Sequence, residues 1–248
     1  MRTSAPVELL HICLLAVFAL ALAGCAATGE SDPRNYFEPL PGNSRIVLMP
    51  PDIRYYLVTA GGNPELHPAW TAEAEAEFAT AIAGRAGIRG IDIQILKRAD
   101  IHETHLQYEG LHAAVGEAII DHSLQGARLP SKDDNAISKW TLGPGVNVIQ
   151  ESTGADYALF VHYRENQASG GRIAFAILAA AAKVVIPTSS EHGFASLIDL
   201  RTGDISWFGI LEDDGYEIRE PTGAEVVAEW LLQELPVAGS FADAIESE

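Results

Sequence analysis

The sequence predicts a single α/β domain in two or three layers, built on a mixed sheet with a βαβα start, C-terminal antiparallel hairpin strands and a closing helix. Two observations carry this prediction. Short apolar strands alternate with amphipathic helices in the first half of the chain, and a two-strand hairpin precedes a last helix in the second half. No internal repeat and no second composition regime interrupts residues 43–236, so one domain is expected there.

The first half of the domain alternates between the two kinds of element. Residues 45–49 consist of Arg45 and four apolar residues and are followed by two prolines, which predicts a buried strand. Apolar residues recur at helical spacing over residues 70–82, so a helix is expected there with its end at Gly87. Residues 91–96 alternate in polarity and predict a second strand. The next helix is expected to bury a face made of Tyr108, Leu111, Val115, Ala118, Ile119 and His122.

The second half of the domain is rich in strands. Residues 143–153 predict a short helix, and Gly154 supplies the left-handed conformation that commonly ends one. Residues 157–163 are continuously apolar or aromatic and predict a buried strand. Two further apolar stretches, 194–200 and 205–211, flank a short turn that contains glycine and therefore predict a hairpin.

A last helix closes the domain. Thr222 and Glu225 have the spacing of a capping box, in which each side chain bonds to the backbone of the other residue. Pro236 is expected to stop the helix, and residues 237–248 form a short acidic tail. The apolar residues expected to face inward are Val226, Val227, Trp230 and Leu231.

The composition excludes several classes of function. The 248 residues carry 34 acidic and 16 basic side chains, which gives a formal net charge of −18. Because such an acidic surface repels phosphate backbones, no nucleic-acid partner is expected. The two cysteines, Cys13 and Cys25, are too few for a disulfide framework or a cysteine-rich zinc site.

The N-terminus has the pattern of an export signal. A weakly positive start precedes an apolar stretch over residues 9–23, which is too short to span a bilayer comfortably. This stretch ends in Leu-Ala-Gly-Cys, the pattern of a bacterial lipobox. The sequence therefore predicts a lipoprotein signal peptide over residues 1–24, cleavage between Gly24 and Cys25, and lipid attachment at Cys25.

The segment after the lipobox is expected to be a tether. Residues 25–42 are rich in proline, glycine and polar residues, so they would hold the domain a short distance from the membrane. By resemblance to Gram-negative lipoproteins, Ala26 in place of an aspartate after the lipidated cysteine implies sorting to the outer membrane. The expected location is the outer membrane, with the lipid-anchored domain facing the periplasm.

One apolar segment does not fit the pattern of alternating strands and helices. Residues 173–182 are apolar on every face and lie between two strands that a tight turn could join. Three interpretations remain open: a helix in the domain's own core, an oligomer or partner contact, and an element that dips into the bilayer. The residues expected to make the contact are Ile173, Phe175, Ile177 and Leu178.

Two sequence motifs resemble a known family. Residues 154–160 read Gly-Ala-Asp-Tyr-Ala-Leu-Phe and lead into a strand, and residues 199–204 read Asp-Leu-Arg-Thr-Gly-Asp within the hairpin. Together with the lipobox, the tether and the order of elements over residues 43–236, they resemble the envelope lipoproteins related to the curli-secretion channel subunit and the TolB amino-terminal domain. The resemblance implies a non-catalytic periplasmic module that assembles into rings or docks onto partner proteins.

The apolar insertion departs from that family in one respect. In the curli channel, the corresponding insertions form membrane-crossing strands. The insertion in this chain is rich in alanine and lacks the polar and apolar alternation of a barrel strand. This difference argues against a pore.

Three histidines are the nearest approach to a metal site. His102 and His105 are separated by Glu103 and Thr104, one residue short of the zinc-protease motif, and His112 follows downstream. These histidines are weak candidates as metal ligands, and capping or solvated roles are the default expectation. No cofactor is expected, because no nucleotide-binding glycine motif and no nucleophile motif occurs in the sequence.

The sequence favours a non-enzymatic function. The leading hypothesis is an outer-membrane lipoprotein that acts as an assembly, secretion or envelope-maintenance factor by contacting envelope proteins, with a homo-oligomer as one form of contact. The alternative hypothesis is a lipid-tethered hydrolase, or a metal- or small-ligand-binding protein, that uses the region of His102, His105 and His112.

Overall fold

The computed structural model describes residues 39–124, 140–211 and 215–237. Gly24, Cys25, the signal peptide and the first part of the tether lie outside the described residues, as does nearly all of the acidic tail. The lipid attachment therefore stays a prediction from sequence.

The described residues form an α/β domain in which strands and helices are interleaved. In chain order the elements are β1 (Ile46–Leu48), β2 (Asp52–Val58), β3 (Pro64–Leu66), α1 (Pro68–Arg89), β4 (Ile93–Ile95), α2 (Glu103–Ile119), α3 (Asn147–Thr153), β5 (Tyr157–Ala168), α4 (Gly170–Ala181), β6 (Ser189–Asp199), β7 (Ile205–Leu211) and α5 (Pro221–Glu234). The single mixed-sheet domain expected from the sequence is thus confirmed.

Strand β5 is the centre of the sheet. Strands β1 and β2 lie one after the other along one edge of β5, and both run parallel to it. Strand β6 pairs antiparallel with the other edge of β5, and β7 pairs antiparallel with β6. The sheet is completed by β4, parallel to β1, and by β3, antiparallel to β2.

The junction between β1 and β2 contains one extra residue. Leu48 lies opposite Leu159, and Asp52 lies opposite His162. A step of four residues from β1 to β2 therefore matches a step of only three residues along β5. Two prolines occupy the junction, where they lack the N–H that a continuous ladder would require. This offset keeps apolar residues of both strands on the same face, since a one-residue shift exchanges the faces of a strand.

Helices cover both faces of the sheet, which makes three layers. Helices α1 and α5 pack together on one face, and α2 and α3 pack on the other. The first face buries, among others, Ile53, Tyr55, Phe78, Leu159 and Leu231. The second face buries, among others, Val47, Ile119, Ile149, Phe160, Phe194 and Phe208.

Helix α1 begins at Pro68 and ends later than the sequence predicts. The His67 side chain accepts a hydrogen bond from the backbone N–H of Trp70 (3.3 Å), and Pro68 occupies the first helical position. The predicted end at Gly87 is wrong, because Gly87 lies exposed inside the helix. Gly90 ends the helix instead, in a left-handed conformation with φ of 71°.

Helix α2 buries a different face from the one that the sequence predicts. Leu111, expected to be buried, is exposed, whereas His105, His112 and Gly116 are buried. The physical reason is the close packing at Gly116, where a methyl group would come within 1.9 Å of the Phe194 ring. The helix then continues as a π-helical turn over Ile120–Leu124.

Helix α5 lacks the predicted capping box. Its N-cap is Glu220, whose side chain makes no capping hydrogen bond, and Pro221 is the first helical residue. Thr222 therefore lies inside the first turn rather than at the cap. Val226 is exposed, contrary to expectation, whereas Leu231 is buried as predicted.

Two glycines of α2 allow a direct test of this packing. Gly116→Ala places a methyl group against Phe194, so we expect the free energy of unfolding to fall by about 1–3 kcal/mol or more. Gly110→Ala is the matched control, because the same change meets no atom within 4 Å there and should stabilise the helix by about 0.5–1 kcal/mol. Urea denaturation measures both values, and equal effects at the two positions would contradict the described packing of α2.

Candidate functional site

Helix α4 lies on the outside of the domain. The Ser169 side chain accepts a hydrogen bond from the Arg172 backbone N–H (3.3 Å) and so caps the start of the helix. No residue of α4 is buried. The large apolar side chains are well exposed, with Ile177 at 66% and Leu178 at 71% exposure, and Ile173 and Phe175 near half.

The core interpretation of the apolar segment is therefore wrong. The reason is topological: β5 and β6 are adjacent antiparallel strands, and α4 replaces the turn between their ends. The helix extends past the end of the sheet, where no other element of the described residues buries any of its side chains. The contact interpretation and the bilayer interpretation both remain. Within residues 39–124, 140–211 and 215–237, no helix is long and apolar enough to cross a membrane.

The charge on α4 differs from that of the rest of the chain. Residues 170–186 contain Arg172 and Lys183 and no acidic residue, in a chain whose net charge is −18. Lys183 follows the helix in a left-handed conformation with φ of 63°, which is uncommon for a residue other than glycine. The helix is thus an apolar surface flanked by positive charge.

The histidines singled out from the sequence do not converge on one point. His102 is exposed at the start of α2, and its backbone N–H donates to Nδ1 of His105 (3.2 Å). Nε2 of His105 lies 3.4 Å from the hydroxyl of Ser152, and burial together with the nearby His102 lowers the pKa of His105. These two histidines shape the first turn of the helix, as in a capping box.

His112 lies two turns further along α2, about 10 Å away at 1.5 Å per residue. Its Nε2 is 3.0 Å from the hydroxyl of Ser196, and its ring packs against Phe160 and Phe194. Burial lowers the pKa of His112 to about 3, so the ring is neutral at physiological pH. Among the described residues, no three His, Cys, Asp or Glu side chains are grouped so that they could hold a metal ion.

The structure adds an ionic cluster that the sequence pattern did not indicate. Oδ2 of buried Asp52 accepts from the Arg164 guanidinium and lies 3.1 Å from Nδ1 of His162, while Oδ1 accepts from Nε of Arg54 (3.0 Å). Burial alone would raise the pKa of Asp52, but hydrogen bonds from His162 and Arg164 hold it well below its usual range. The cluster links β2 to β5 through charges that are paired with one another.

The same face of the sheet continues toward α2. Nε2 of His192 lies 2.9 Å from Oε1 of Glu117, and His162 lies 3.9 Å from the same oxygen. Phe194 stacks with the His162 ring and meets the His192 ring edge-on. These contacts join α2, β5 and β6. The imidazoles and the Glu117 carboxylate thus have partners within the protein, and their contacts hold the layers together.

The opposite face of the sheet contains a cavity of about 210 Å³ between β6, β7 and α5. Its walls are mainly aromatic and aliphatic, and one carboxylate reaches it. The lining residues are Tyr163, Glu191, Leu211, Tyr216, Ile218, Val226, Val227 and Trp230. Tyr163 and Glu191 are distant in sequence from the other six residues, which lie between Leu211 and Trp230, so no local sequence motif could have indicated the cavity.

Carboxylates and tyrosines form a network behind the cavity. The Tyr163 hydroxyl lies 3.1 Å from Oε2 of Glu165 and 2.9 Å from Oε2 of Glu191. The Tyr55 hydroxyl donates to Oε1 of Glu217 (2.7 Å). Burial and the Glu165 carboxylate raise the pKa of both tyrosines well above the usual value, so both hydroxyls keep their protons.

Arg219 neutralises one of these carboxylates. Its Nε and Nη2 donate to the two oxygens of Glu217 at 3.0 and 2.7 Å. Although burial raises the pKa of Glu217, the bonds from Arg219 and Tyr55 lower it to about 2. The guanidinium also lies over the Tyr55 and Trp70 rings, at 5.0 and 4.4 Å from their centres, so its position is fixed on several sides.

Compared with known proteins, the chain matches no protein-family model and no curated protein sequence. The resemblance to the lipoproteins related to the curli-secretion channel subunit and the TolB amino-terminal domain therefore stays a hypothesis, based on two short motifs and the element order. Functional inference for this chain depends on its own surfaces.

The buried histidine on α2 predicts a pH dependence of stability. The pKa of His112 is about 3 in the fold against 6.5 for an unperturbed histidine, so below pH 6.5 the unfolded chain binds a proton that the folded chain does not. The contribution of His112 to stability is therefore greatest above pH 6.5 and falls by about 1.4 kcal/mol per pH unit as the pH drops toward 3, with His105 acting in the same direction.

His112→Gln removes this titrating group. We expect the variant to be less stable than the wild-type chain at pH 7, because the packing against two phenylalanines is disturbed, and the difference should shrink as the pH falls toward 4. Guanidinium denaturation at a series of pH values measures this. A constant difference across the series would contradict the buried neutral histidine.

Proposed function

We propose that this chain is an outer-membrane lipoprotein, anchored through lipid on Cys25, whose periplasmic domain acts without catalysis. In this proposal it is an assembly, secretion or envelope-maintenance factor that works through protein–protein contacts. The observation that carries the proposal is the exposed apolar helix α4, and the contact we assign to it is a second copy of the same chain.

The exposure of α4 supports a contact surface. Soluble domains rarely present contiguous apolar patches of large side chains unless a partner covers them. Ile173, Phe175, Ile177 and Leu178 form such a patch on one helix, and Val184 and Val185 extend it beyond the helix end. Covering these side chains would release roughly 25 cal/mol for each Å² of apolar surface removed from water.

Charge complementarity favours another copy as the occupant. The flanks of α4 are basic, whereas the chain as a whole carries a net charge of −18. A second copy therefore offers acidic surface to Arg172 and Lys183, while two acidic surfaces facing each other would repel. A contact that places α4 against an acidic region of its neighbour avoids that repulsion.

The position of α4 favours a protein over the bilayer that carries the lipid. The chain enters the domain near Leu40, and the backbone N–H of Arg45 bonds to Asp156, directly before β5 begins. Helix α4 follows the other end of β5, which spans 12 residues or about 40 Å. Helix α4 therefore lies at the end of the domain opposite to the point where the tether enters it.

The alternative hypothesis, a lipid-tethered hydrolase or metal-binding protein, gains no support from the histidines. His105 and His112 are buried with separate hydroxyl partners, and His102 is exposed at a helix start. No observation on these three residues favours a second candidate function.

The lipid anchor is tested by Cys25→Ser. The thiol is the acceptor of the lipid, so the variant should lose acyl labelling and leave the membrane fraction. Metabolic labelling with a radioactive fatty acid, followed by fractionation of the envelope, measures both. Cys13→Ser is the matched control and should leave both unchanged. Unaltered membrane fractionation of Cys25→Ser would overturn the lipoprotein assignment.

The contact surface is tested by Ile177→Asp. A charge in the centre of the patch should abolish self-association, because an aspartate buried against a neighbour would lack a partner. The side chain is already 66% exposed, so the stability of the isolated chain should change by no more than about 1 kcal/mol. Light scattering on the detergent-solubilised chain, together with crosslinking in the native envelope, measures self-association.

Ile88→Asp provides the matched control for this experiment. Ile88 is a 79% exposed isoleucine on α1, so the substitution introduces the same charge on a helix surface away from α4. We expect it to leave self-association intact. If Ile177→Asp self-associates like Ile88→Asp, or if the wild-type chain is monomeric in both assays, the assignment of α4 to a second copy is wrong.

A further inference from the structure

The cavity between β6, β7 and α5 has the size and the walls to receive an aromatic ring. Its volume is about 210 Å³, and an apolar cavity of about 150 Å³ is large enough to bind benzene. Tyr163, Tyr216 and Trp230 form much of its wall, and aromatic rings attract one another when they are offset or meet edge to face. Most of the other lining residues are aliphatic. A phenyl ring therefore matches the chemistry of the cavity.

The cavity opens to solvent on the outside of α5. Tyr216 and Val226, which both line it, are exposed large apolar side chains, so they mark its mouth. Val226 and Trp230 are four residues apart on α5 and therefore lie on the same face of that helix. Among the described residues, none from α4 contributes to the lining. The α4 that could reach the cavity is therefore that of another copy.

Helix α4 carries an exposed phenyl ring. Phe175 and Leu178 are three residues apart, so they lie on the same face of the helix, and both are exposed. Aromatic side chains that enter a pocket of the partner commonly contribute most of the binding energy of a protein interface. Phe175 is therefore the residue of α4 that best fits the cavity, and Leu178 would contact its rim.

The charges beside the two surfaces are of opposite sign. Residues 170–186, which include α4, contain Arg172 and Lys183 and no acidic residue. Helix α5 contains three glutamates and no basic residue, and its N-cap is Glu220. Two of these glutamates bond to arginines of α1, whereas Glu220 and Glu234 are exposed at the two ends of α5. Opposite charges around an apolar contact favour the approach of α4 to α5 of a second copy.

We propose that the Phe175 ring of one copy enters the cavity between β6, β7 and α5 of the next copy, with Leu178 against the rim at Val226. This inference rests on the proposed function, because it names the surface of the second copy that receives α4. The inserting helix and the receiving cavity are different surfaces of the chain. The contact is therefore head-to-tail and not a pairing of two α4 helices.

Substitutions in the cavity test the receiving surface while α4 stays intact. Val226→Asp places a charge at the mouth, and Tyr216→Ser removes part of the aromatic wall, so each should raise the Kd of self-association about tenfold or more. Leu106→Asp is the matched control, because it introduces the same charge at an exposed leucine of α2, on the opposite face of the sheet. It should leave the Kd unchanged.

Light scattering on the full chain in a non-ionic detergent measures self-association over a range of concentrations. Thermal unfolding of each variant accompanies it, so that a loss of self-association is read only from folded protein. Two cavity variants are used because either of them alone, if folded, is enough to decide the outcome.

A mixture of two deficient variants tests whether the contact is head-to-tail. Phe175→Asp lacks the inserting ring and keeps the cavity, whereas Val226→Asp keeps the ring and lacks a working cavity. Each variant alone should be monomeric, and the mixture should form a one-to-one complex that an affinity tag on Phe175→Asp retains. Tagged and untagged Phe175→Asp chains are the control mixture. They should not associate, which shows that detergent micelles do not hold chains together.

The outcomes distinguish this inference from the proposed function. If the wild-type chain is monomeric, or if Ile177→Asp self-associates like the wild type, the assignment of α4 to a second copy fails and this inference fails with it. If those two results are as expected but folded Val226→Asp or Tyr216→Ser self-associates like the wild type, α4 binds another surface and only this inference is wrong. Absence of a complex in the mixture of Phe175→Asp and Val226→Asp would also overturn it.

Discussion

The pairing of β5 along both of its edges is the constraint on which this domain depends. One edge holds β1 and β2 in succession, and the other edge holds β6 along nearly its full length. Each face of β5 then contributes to a different core, since Leu159 and Val161 face α1 and α5 while Phe160 faces α2 and α3. The three layers are therefore joined through one strand, and the extra residue between β1 and β2 is what allows two parallel segments to share its edge.

Buried carboxylates on the two faces of the sheet bond to different kinds of side chain. On the α2 side, the Asp52 carboxylate is bonded by Arg54, His162 and Arg164, so the negative charge is compensated where it lies. On the α5 side, the Tyr163 hydroxyl lies within hydrogen-bonding distance of both the Glu165 and the Glu191 carboxylates, beside the cavity. On both faces, buried polar side chains thus bond to groups on neighbouring strands, which joins those strands through side chains as well as through the backbone.

Local patterns in the sequence predict most of the helices and strands. They do not predict which face of a helix is buried or which elements pack against one another. The short helix α3, the left-handed Gly154 and the hairpin of β6 and β7 follow from residues near one another in the chain. Strand β2 was not expected, because Asp52 and Arg54 look like solvent-exposed residues until His162 and Arg164 are placed beside them. The buried face of α2 depends on contact between Gly116 and Phe194, and the cavity depends on four distant elements, so neither could be derived from spacing alone.

Helix α4 takes the place of a turn, and this has a consequence for how the domain can change. The ends of β5 and β6 are already closed by the pairing of Gln167 with Ser189 and by a hydrogen bond from the Ala168 backbone N–H to Thr188. The register of β5 and β6 therefore does not depend on α4, and no residue of α4 enters either core. Helix α4 and the folded scaffold are separable parts, so the segment is free to vary in length and chemistry while the scaffold stays the same.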